Sequence, residues 1–293
     1  MFSSLRRTAN FITKHPIGKK QRLASWMRWL RWQVGTRILP YPVIVPWIGG
    51  LNLVMERGMT GATGNYYCGL HEFTDMSLSI HFLSGSLAAG ESTVFVDAGA
   101  NIGSFSLLAA GYGGAQVVAI EPAPQTMKRL ERNVVINGFS NFVRLQQCAL
   151  GESESTIRFS VDKDTMNSVV DSSYAGKWLE IPVQTLDALT DDFAVHMLKI
   201  DVEGFENSVL KGARKTLSNP NLKIVLLEGD DEQIQAIMNA NGFARVGYDP
   251  FRRTFLQKEE IRDGNNNVWV RNVDEIESTC RLAPIIDVFG FSI

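Results

Sequence analysis

The sequence predicts an α/β protein with a largely parallel sheet covered by helices on both faces. Two observations carry this. Residues 93–122, TVFVDAGANIGSFSLLAAGYGGAQVVAIEP, read as strand, glycine-containing loop, helix and second strand, with an acid closing each strand. Further on, MLKI (197–200) and LKIVLL (222–227) repeat the pattern of a short apolar strand closed by an acid. Apolar, β-branched runs this short suit strands buried on both faces of a parallel sheet. A strand–helix–strand unit this short is a right-handed parallel crossover, and ligands of such sheets sit at the carboxyl ends of the strands. Asp97, Gly99, Asn101, Gly103 and Glu121 are all predicted on that edge.

The chemistry of the edge points away from a dinucleotide. A G-x-G-x-x-G turn brings bare backbone N–H groups against a pyrophosphate. Here Asp97 stands at the strand end, the glycines are Gly99 and Gly103, and the third glycine is missing. A carboxylate there repels phosphate and suits a ligand with positive charge, such as S-adenosylmethionine, with its ammonium, sulfonium and ribose. Glu121 is placed to accept hydrogen bonds from ribose hydroxyls. The bland alternative is an ordinary α/β turn with solvated acids; acid, glycines and second acid at workable spacing weigh against it.

The chain has 293 residues, 45% of them hydrophobic, and a net charge of −2. Length allows one large domain or two small ones, and the charge balance excludes a broad nucleic-acid footprint. Residues 1–55 carry Arg6, Arg7, Lys14, Lys19, Lys20, Arg22, Arg28, Arg31 and Arg37 and no acid, which leaves the remainder distinctly acidic. No apolar run approaches the ~20 residues of a bilayer span, and the N-terminus lacks the apolar core of a signal peptide. Cys68, Cys148 and Cys280 show no metal-ligand spacing and are expected as reduced thiols in a cytoplasmic protein.

Residues 21–39 read as a helix. At 100° per residue Leu23, Trp26, Met27, Leu30, Val34 and Ile38 share one arc, with Ser25, Arg28 and Trp32 opposite. Such a helix either lies at a membrane surface, on the inner face for a cytoplasmic protein, or packs on a neighbouring domain or partner subunit. Pro40, Pro42 and Pro46 then break the chain. GMTGATGNYYCGLHEFTD (58–75), rich in Gly and Thr, is expected as loop and turn, and it gathers His71, Glu72 and Asp75. Met76–Leu83 follows as a helix.

After the central unit, Pro124–Asn137 is predicted helical with Gly138 as its cap, and Phe142–Cys148 as the third strand. Cys148 and Ala149 are expected beside the base of a nucleoside ligand. Residues 152–185 form an excursion of short strands. A helix is expected over Glu206–Leu217, and another over 231–241. ARVGYDPFRRTFL (244–256) and NNVWVRN (266–272) fit an antiparallel closing pair.

VFVDAGANIG, AIEPAP, LERNVVINGFSN, CALG, VQTLDAL, LKIDVEGFENSVLKGA and IVLLEGD occur here in one order. That order resembles the FkbM family of S-adenosylmethionine-dependent methyltransferases. The resemblance covers roughly residues 56–272, leaving 1–55 as a basic helical extension and 273–293 as a tail. DAGANIG alone marks a class I methyltransferase-like chain; KIDVEG with its following helix and LKGA is the family-specific part. The resemblance implies a seven-stranded Rossmann-like sheet and O-methylation of hydroxyls. The acceptors it implies are sugars of polysaccharides and glycolipids, or polyketide-type natural products.

Carried over residue by residue, the cofactor set is Asp97, Gly99, Asn101, Gly103, Glu121, Pro122 and Ala149. Asp201 and Glu203 match the acidic motif at the fourth strand, beside the transferred methyl. An alcohol needs its proton removed, and the candidate bases are Asp201, Glu203 and His71, with Asp201 preferred. One of the close pair Asp201 and Glu203 is expected to show a raised pKa. His196 falls at the wrong strand end and His81 in an apolar helix. Asp201, Glu203 and Glu228 permit a divalent cation without requiring one, and no metal is assigned. Oligomeric state is not specified. Two rival classes are a nicotinamide oxidoreductase, disfavoured by the absent G-x-G-x-x-G, and a non-catalytic cofactor-binding module that binds a partner.

Overall fold

A computed structural model describes residues 2–57, 59–160, 170, 174–256 and 266–293. The parts of the expected excursion at 161–169 and 171–173 lie outside the described residues.

Three helices lead the chain: α1 (Phe2–Lys14), α2 (Pro16–Lys20) and α3 (Arg22–Ile38). The hairpin β1 (Val43–Pro46) and β2 (Asn52–Met55) follows, then α4 (Thr60–Cys68) and α5 (Phe73–Ala88). The central unit is β3 (Val94–Ala98), α6 (Ser104–Gly113) and β4 (Gln116–Ile120), continued by α7 (Pro124–Ile136) and β5 (Val143–Gln146). A small sheet is built from β6 (Ala149–Leu150), β7 (Ser155–Ser160) and β8 (Trp178–Gln184). The second half runs α8 (Leu186–Thr190), β9 (Met197–Ile200), α9 (Glu206–Lys211), α10 (Arg214–Ser218), β10 (Ile224–Leu227) and α11 (Glu232–Ala240). It closes with β11 (Ala244–Asp249), β12 (Thr254–Leu256), β13 (Asn267–Val270), α12 (Val273–Leu282), and the pair β14 (Asp287–Val288) and β15 (Phe291–Ser292).

The main sheet has the order β12-β11-β13-β10-β9-β3-β4-β5. β10, β9, β3, β4 and β5 are parallel, and β13 lies antiparallel between β10 and β11. Seven strands match the Rossmann-like expectation; the three-residue β12 adds an eighth at the edge by folding back on β11. Strand order reverses between β3 and β9, so the switch point, where such sheets bind ligands, lies at their carboxyl ends.

Strict alternation splits each central strand between two cores. Phe95, Val117, Ala119, Met197, Ile224 and Leu226 point into one, under α5, α6, α7 and α12. Val96, Ala98, Val118, Ile120, Leu198, Ile200, Val225 and Leu227 point into the other, under α8–α11. Ile12, Ile17 and Trp32 from the N-terminal helices join the first core.

Four local expectations are corrected. Residues 60–68 form α4 rather than loop, because tertiary bonds hold poor helix formers there. Arg28 Nε donates to the Tyr67 carbonyl at 2.8 Å and Asn65 Nδ2 to Ser104 Oγ at 2.8 Å. The sequence suits a helix over Ser104–Ala110 ended by Gly111, Gly113 and Gly114, yet Gly111 and Gly113 continue α6, which ends only at Gly114 in the left-handed region. The third strand stops at Gln146, and Ala149–Leu150 pair instead with β8. The helix expected over 206–217 breaks at Gly212, where a Cβ would strike the Gly151 carbonyl.

Helix α3 forms where expected, yet its packing is inverted. Ser25, Trp32 and Thr36 are buried, while Leu23, Met27, Leu30, Val34 and Ile38 face outward.

Candidate functional site

The loop after β3 is shaped by its backbone. Gly99 (φ +81°) and Ala100 both donate their N–H to the Ile120 carbonyl at 2.9 Å, locking the turn onto the end of β4. A Cβ at Gly99 would collide with the Asp201 carbonyl, so only glycine lets the two strand ends approach this closely. Asn101 (φ +52°) is left-handed without being glycine, a strain that persists where surroundings over-determine it. Its N–H donates to Glu121 Oε2 at 3.0 Å, and Ala123 N–H donates to Glu121 Oε1 at 3.0 Å. Glu121 is thus fixed at the tip of β4; burial pushes its carboxyl up to about 7 despite these bonds. Gly103 (φ +89°) caps α6, and a side chain there would meet Leu130.

Gly99, Asn101, Glu121, Pro122 and Ala149 line one cleft of about 810 Å3 together with Asp201 and Glu203. That volume includes the cleft's open mouth. Cys148, Leu150, Ile157, Phe159 and Phe205 add apolar lining to it, which suits a flat base. A smaller cavity shares Gly99, Asn101 and Asp201 with the cleft and is lined further by Asn65, His71, Glu72, Asp97 and Lys199.

Asp97 is buried and lines the smaller cavity rather than the cleft. Ser106 donates to its Oδ2 from both N (3.1 Å) and Oγ (2.6 Å), while Oδ1 is buried with no hydrogen-bond partner among the described residues. Burial raises its pKa, opposed by Lys199 and the Ser106 bonds. The buried Asn101 Oδ1 likewise lacks a partner. Two buried acceptors without a partner among the described residues, on residues that line the smaller cavity, and a carboxylate at a ribose-binding position fit the ammonium and hydroxyl donors of S-adenosylmethionine. The residues present fit that cofactor.

The strand motif supplies the other half. Asp201 ends β9, its N–H bonded to the Ala98 carbonyl at 3.0 Å, and Lys199 Nζ donates to Asp201 Oδ2 at 2.8 Å. Lys199 is almost wholly buried, with Nζ 4.9 Å from the Phe105 ring centroid. Burial alone would lower its pKa, but the carboxylates of Asp201, Glu72 and Asp97 outweigh that and raise it. Glu203 (φ +52°) and Gly204 (φ +89°) then turn the chain sharply. Burial and then Asp201 raise the Glu203 pKa, as the close pair predicted. At the end of β10, burial and then the charges of Asp201 and Glu203 push the Glu228 carboxyl up to about 7.

His71 lines the smaller cavity, its ring stacked on Phe11 at 5.0 Å and Nδ1 buried without a partner among the described residues. Burial lowers its pKa, keeping the imidazole neutral. His81 bonds Tyr248 Oη at 2.7 Å, and His196 Nδ1 accepts from the Val94 N–H at 3.1 Å at the far end of the sheet. Among the described residues no group of three His, Cys, Asp or Glu side chains has metal-binding geometry.

Sequence reasoning missed the buried polar group beneath this site. Asn266 Nδ2 donates to Glu72 Oε2 and Asp75 Oδ2, both at 2.9 Å. Burial holds Glu72 up to about 7 and Asp75 up to about 6, each opposed by Lys199. Beside the grouping of Glu72 and Asp75 with His71, the available signal was the lysine inside the apolar run MLKI, a residue type almost never fully buried unless paired.

Comparison with known proteins agrees with this geometry. The Methyltransferase FkbM domain matches residues 97–257, more than half of the chain. "Methyltransferase 1" of Beauveria bassiana is 26% identical over 183 residues, 53% of this chain and 73% of that protein. "Methyltransferase sdnD" of Sordaria araneosa is 27% identical over 187 residues, 50% of this chain and 72% of that protein. Two solved structures show a looser likeness. A precorrin-6y C5,15-methyltransferase from Geobacter metallireducens gives a TM-score of 0.38 at 14% identity, over 74% of this chain and 91% of that one. A human methyltransferase 10 domain-containing protein also gives 0.38, at 15% identity, over 67% and 78%. The strand order, the glycine loop and the extent of the domain match lead to one conclusion: the chain belongs to the FkbM family of S-adenosylmethionine-dependent methyltransferases.

Proposed function

We propose that the protein O-methylates a hydroxyl of a neutral, polyhydroxylated acceptor, a sugar of a polysaccharide or glycolipid, in the cytoplasm or at the inner face of a membrane. The observation that carries this reading is the group of carboxyls at adjacent strand ends, Asp201 and Glu203 lining the cleft and Glu228 following β10. Exposed carboxylates at a cleft mouth accept hydrogen bonds from sugar hydroxyls and repel anionic acceptors.

In this reading Glu121 receives the ribose hydroxyls and Asp97, with Asn101, the methionine end of the cofactor. Cys148, Ala149 and Phe159 flank the adenine. When bound, the cofactor supplies the electrophilic methyl group. The chain's own contribution is to hold the acceptor hydroxyl in line and to take its proton. Lys199 fixes the Asp201 carboxylate by a charge-assisted bond, and Asp201 accepts the proton or orients the hydroxyl. Glu228, its carboxyl pushed up to about 7 by burial and by Asp201 and Glu203, stands at the neighbouring strand end as a further proton acceptor. Glu203 lies at the mouth, and His71 is the second candidate base, reached through the smaller cavity.

The test is transfer of a labelled methyl group onto neutral glycans, glycolipids and polyketide-type alcohols. Alkali-resistant label on a glycan, as expected of a methyl ether, supports the reading. Label on the polyketide alcohols alone would replace it with the alternative acceptor class.

A further inference from the structure

The outward face of α3 has no role in the site. Leu23, Met27, Leu30, Val34 and Ile38 are between 46% and 77% exposed, on a helix whose opposite face is buried. At 100° per residue these five side chains occupy an arc of about 80°. At 1.5 Å per residue they form a stripe about 22 Å long. Leu39 and Ile44 continue the exposed apolar surface beyond the helix end. Exposed arginines border the stripe, Arg31 on one side and Arg37 and Arg22 on the other, where long side chains can reach past an apolar layer to charged groups.

We propose that α3 docks, apolar stripe inward, on the surface of an anionic lipid bilayer. Charge complementarity selects this occupant. Residues 1–55 hold nine Lys and Arg and no acid; the chain has 29 basic and 31 acidic residues, so the rest carries 20 against 31, a balance of −11. An acidic body with one acid-free basic edge orients that edge toward an anionic surface. Size argues the same way. A stripe about 22 Å long and one helix wide offers a small fraction of the ~800 Å2 per partner of a stable protein interface. A helix in the plane of the headgroups needs only a shallow apolar face with basic flanks. No helix among the described residues is long and apolar enough to cross a membrane, so the contact is peripheral. Helix α3 lies against α4, whose Asn65 lines the smaller cavity, so a docked chain holds its site one helix away from the bilayer side.

This inference is independent of which hydroxyl is methylated. The test is sedimentation of the full chain with vesicles of phosphatidylcholine alone or mixed with phosphatidylserine. We expect binding to the mixed vesicles that falls as salt rises. Leu23→Gln/Leu30→Gln/Val34→Gln alters only exposed positions and should keep the wild-type circular dichroism while weakening binding at least about tenfold. Arg31→Gln/Arg37→Gln should weaken it about fivefold per arginine at low salt. Failure to sediment with serine-containing vesicles at low salt overturns the proposal. So does undiminished binding by the triple variant, or a wild-type dimer that the triple variant abolishes, which would assign the stripe to a second copy.

Discussion

Asp97 and Lys199 are register partners on the adjacent parallel strands β3 and β9, and alternation turns both toward the core beneath α5. Above them α5 and its lead-in bring Glu72 and Asp75, and one residue beyond the end of β9 stands Asp201. One buried ammonium thus faces four carboxyl groups. The two strands that meet at the ligand-binding switch point are joined by charge as well as by backbone bonds.

Removing that ammonium should be costly. We predict that Lys199→Met destabilises the fold by about 3–5 kcal/mol at pH 8, since it leaves buried carboxylates without their cation. The loss should shrink at acid pH, where Glu72 and Asp75 take up protons and need no counter-charge. Urea titrations of both proteins at two pH values read this directly. Equal midpoints for variant and wild type at pH 8 would show that Lys199 does not compensate the cluster.

Glu72 gives the sign of the pH dependence. Its carboxyl titrates at about 7 in the folded chain against 4.5 in the unfolded reference. Below 4.5 it is protonated in both states. Between the two values only the folded state holds the proton, so stability falls as pH rises through this window. Compared with Glu72→Gln, wild type should therefore lose at most about 3 kcal/mol between pH 4.5 and pH 8. A difference in unfolding free energy that stays flat across this range would refute the assignment.

Glu121 and Gly99 test the cofactor cradle separately. Glu121→Ala removes a carboxylate acceptor and should weaken S-adenosylmethionine binding by about 1–3 kcal/mol in calorimetry. Gly99→Ala should do more, because its Cβ collides with the Asp201 carbonyl and its φ of +81° is strained for any L side chain. Loss of stability together with loss of binding is expected there. Unchanged affinity in both variants would move the cofactor out of this cleft.

The strands were legible because each is an apolar run closed by an acid. Gln116–Ile120 and Met197–Ile200 form with the expected ends. The cleft residues Gly99, Asn101, Glu121, Pro122 and Ala149 converge for the same reason, since strand ends of one sheet edge must meet. Helix α4 was not legible. Its Gly and Thr residues favour turns, and it is held by Arg28 and Ser104 from distant segments. The direction of α3 was hidden too: periodicity locates an apolar stripe but not what lies on the other side, where Trp32 packs on Tyr66. The Lys199 cluster joins residues up to 194 positions apart, so the sequence showed Glu72 and Asp75 as neighbours and a lone lysine in a buried strand, but not that they meet.

The proton acceptor is the most demanding assignment. Asp201 is held by Lys199 at 2.8 Å, and at the next strand end burial, Asp201 and Glu203 push the Glu228 carboxyl up to about 7. If this carboxyl pair takes the acceptor's proton, kcat/KM should rise with pH through a limb near 7, where Glu228 titrates. Asp201→Asn keeps the shape and removes the acceptor. We predict a fall in turnover of about 10²–10⁴-fold with S-adenosylmethionine affinity within a few-fold. Glu228→Gln should be milder in turnover at pH 8 but should displace the limb, because it removes the group that titrates there. His71→Gln should retain most activity, since a neutral imidazole stacked on Phe11 is not part of the pair. An inactive His71→Gln beside a normally active Asp201→Asn would transfer the base from the strand end to the segment before α5.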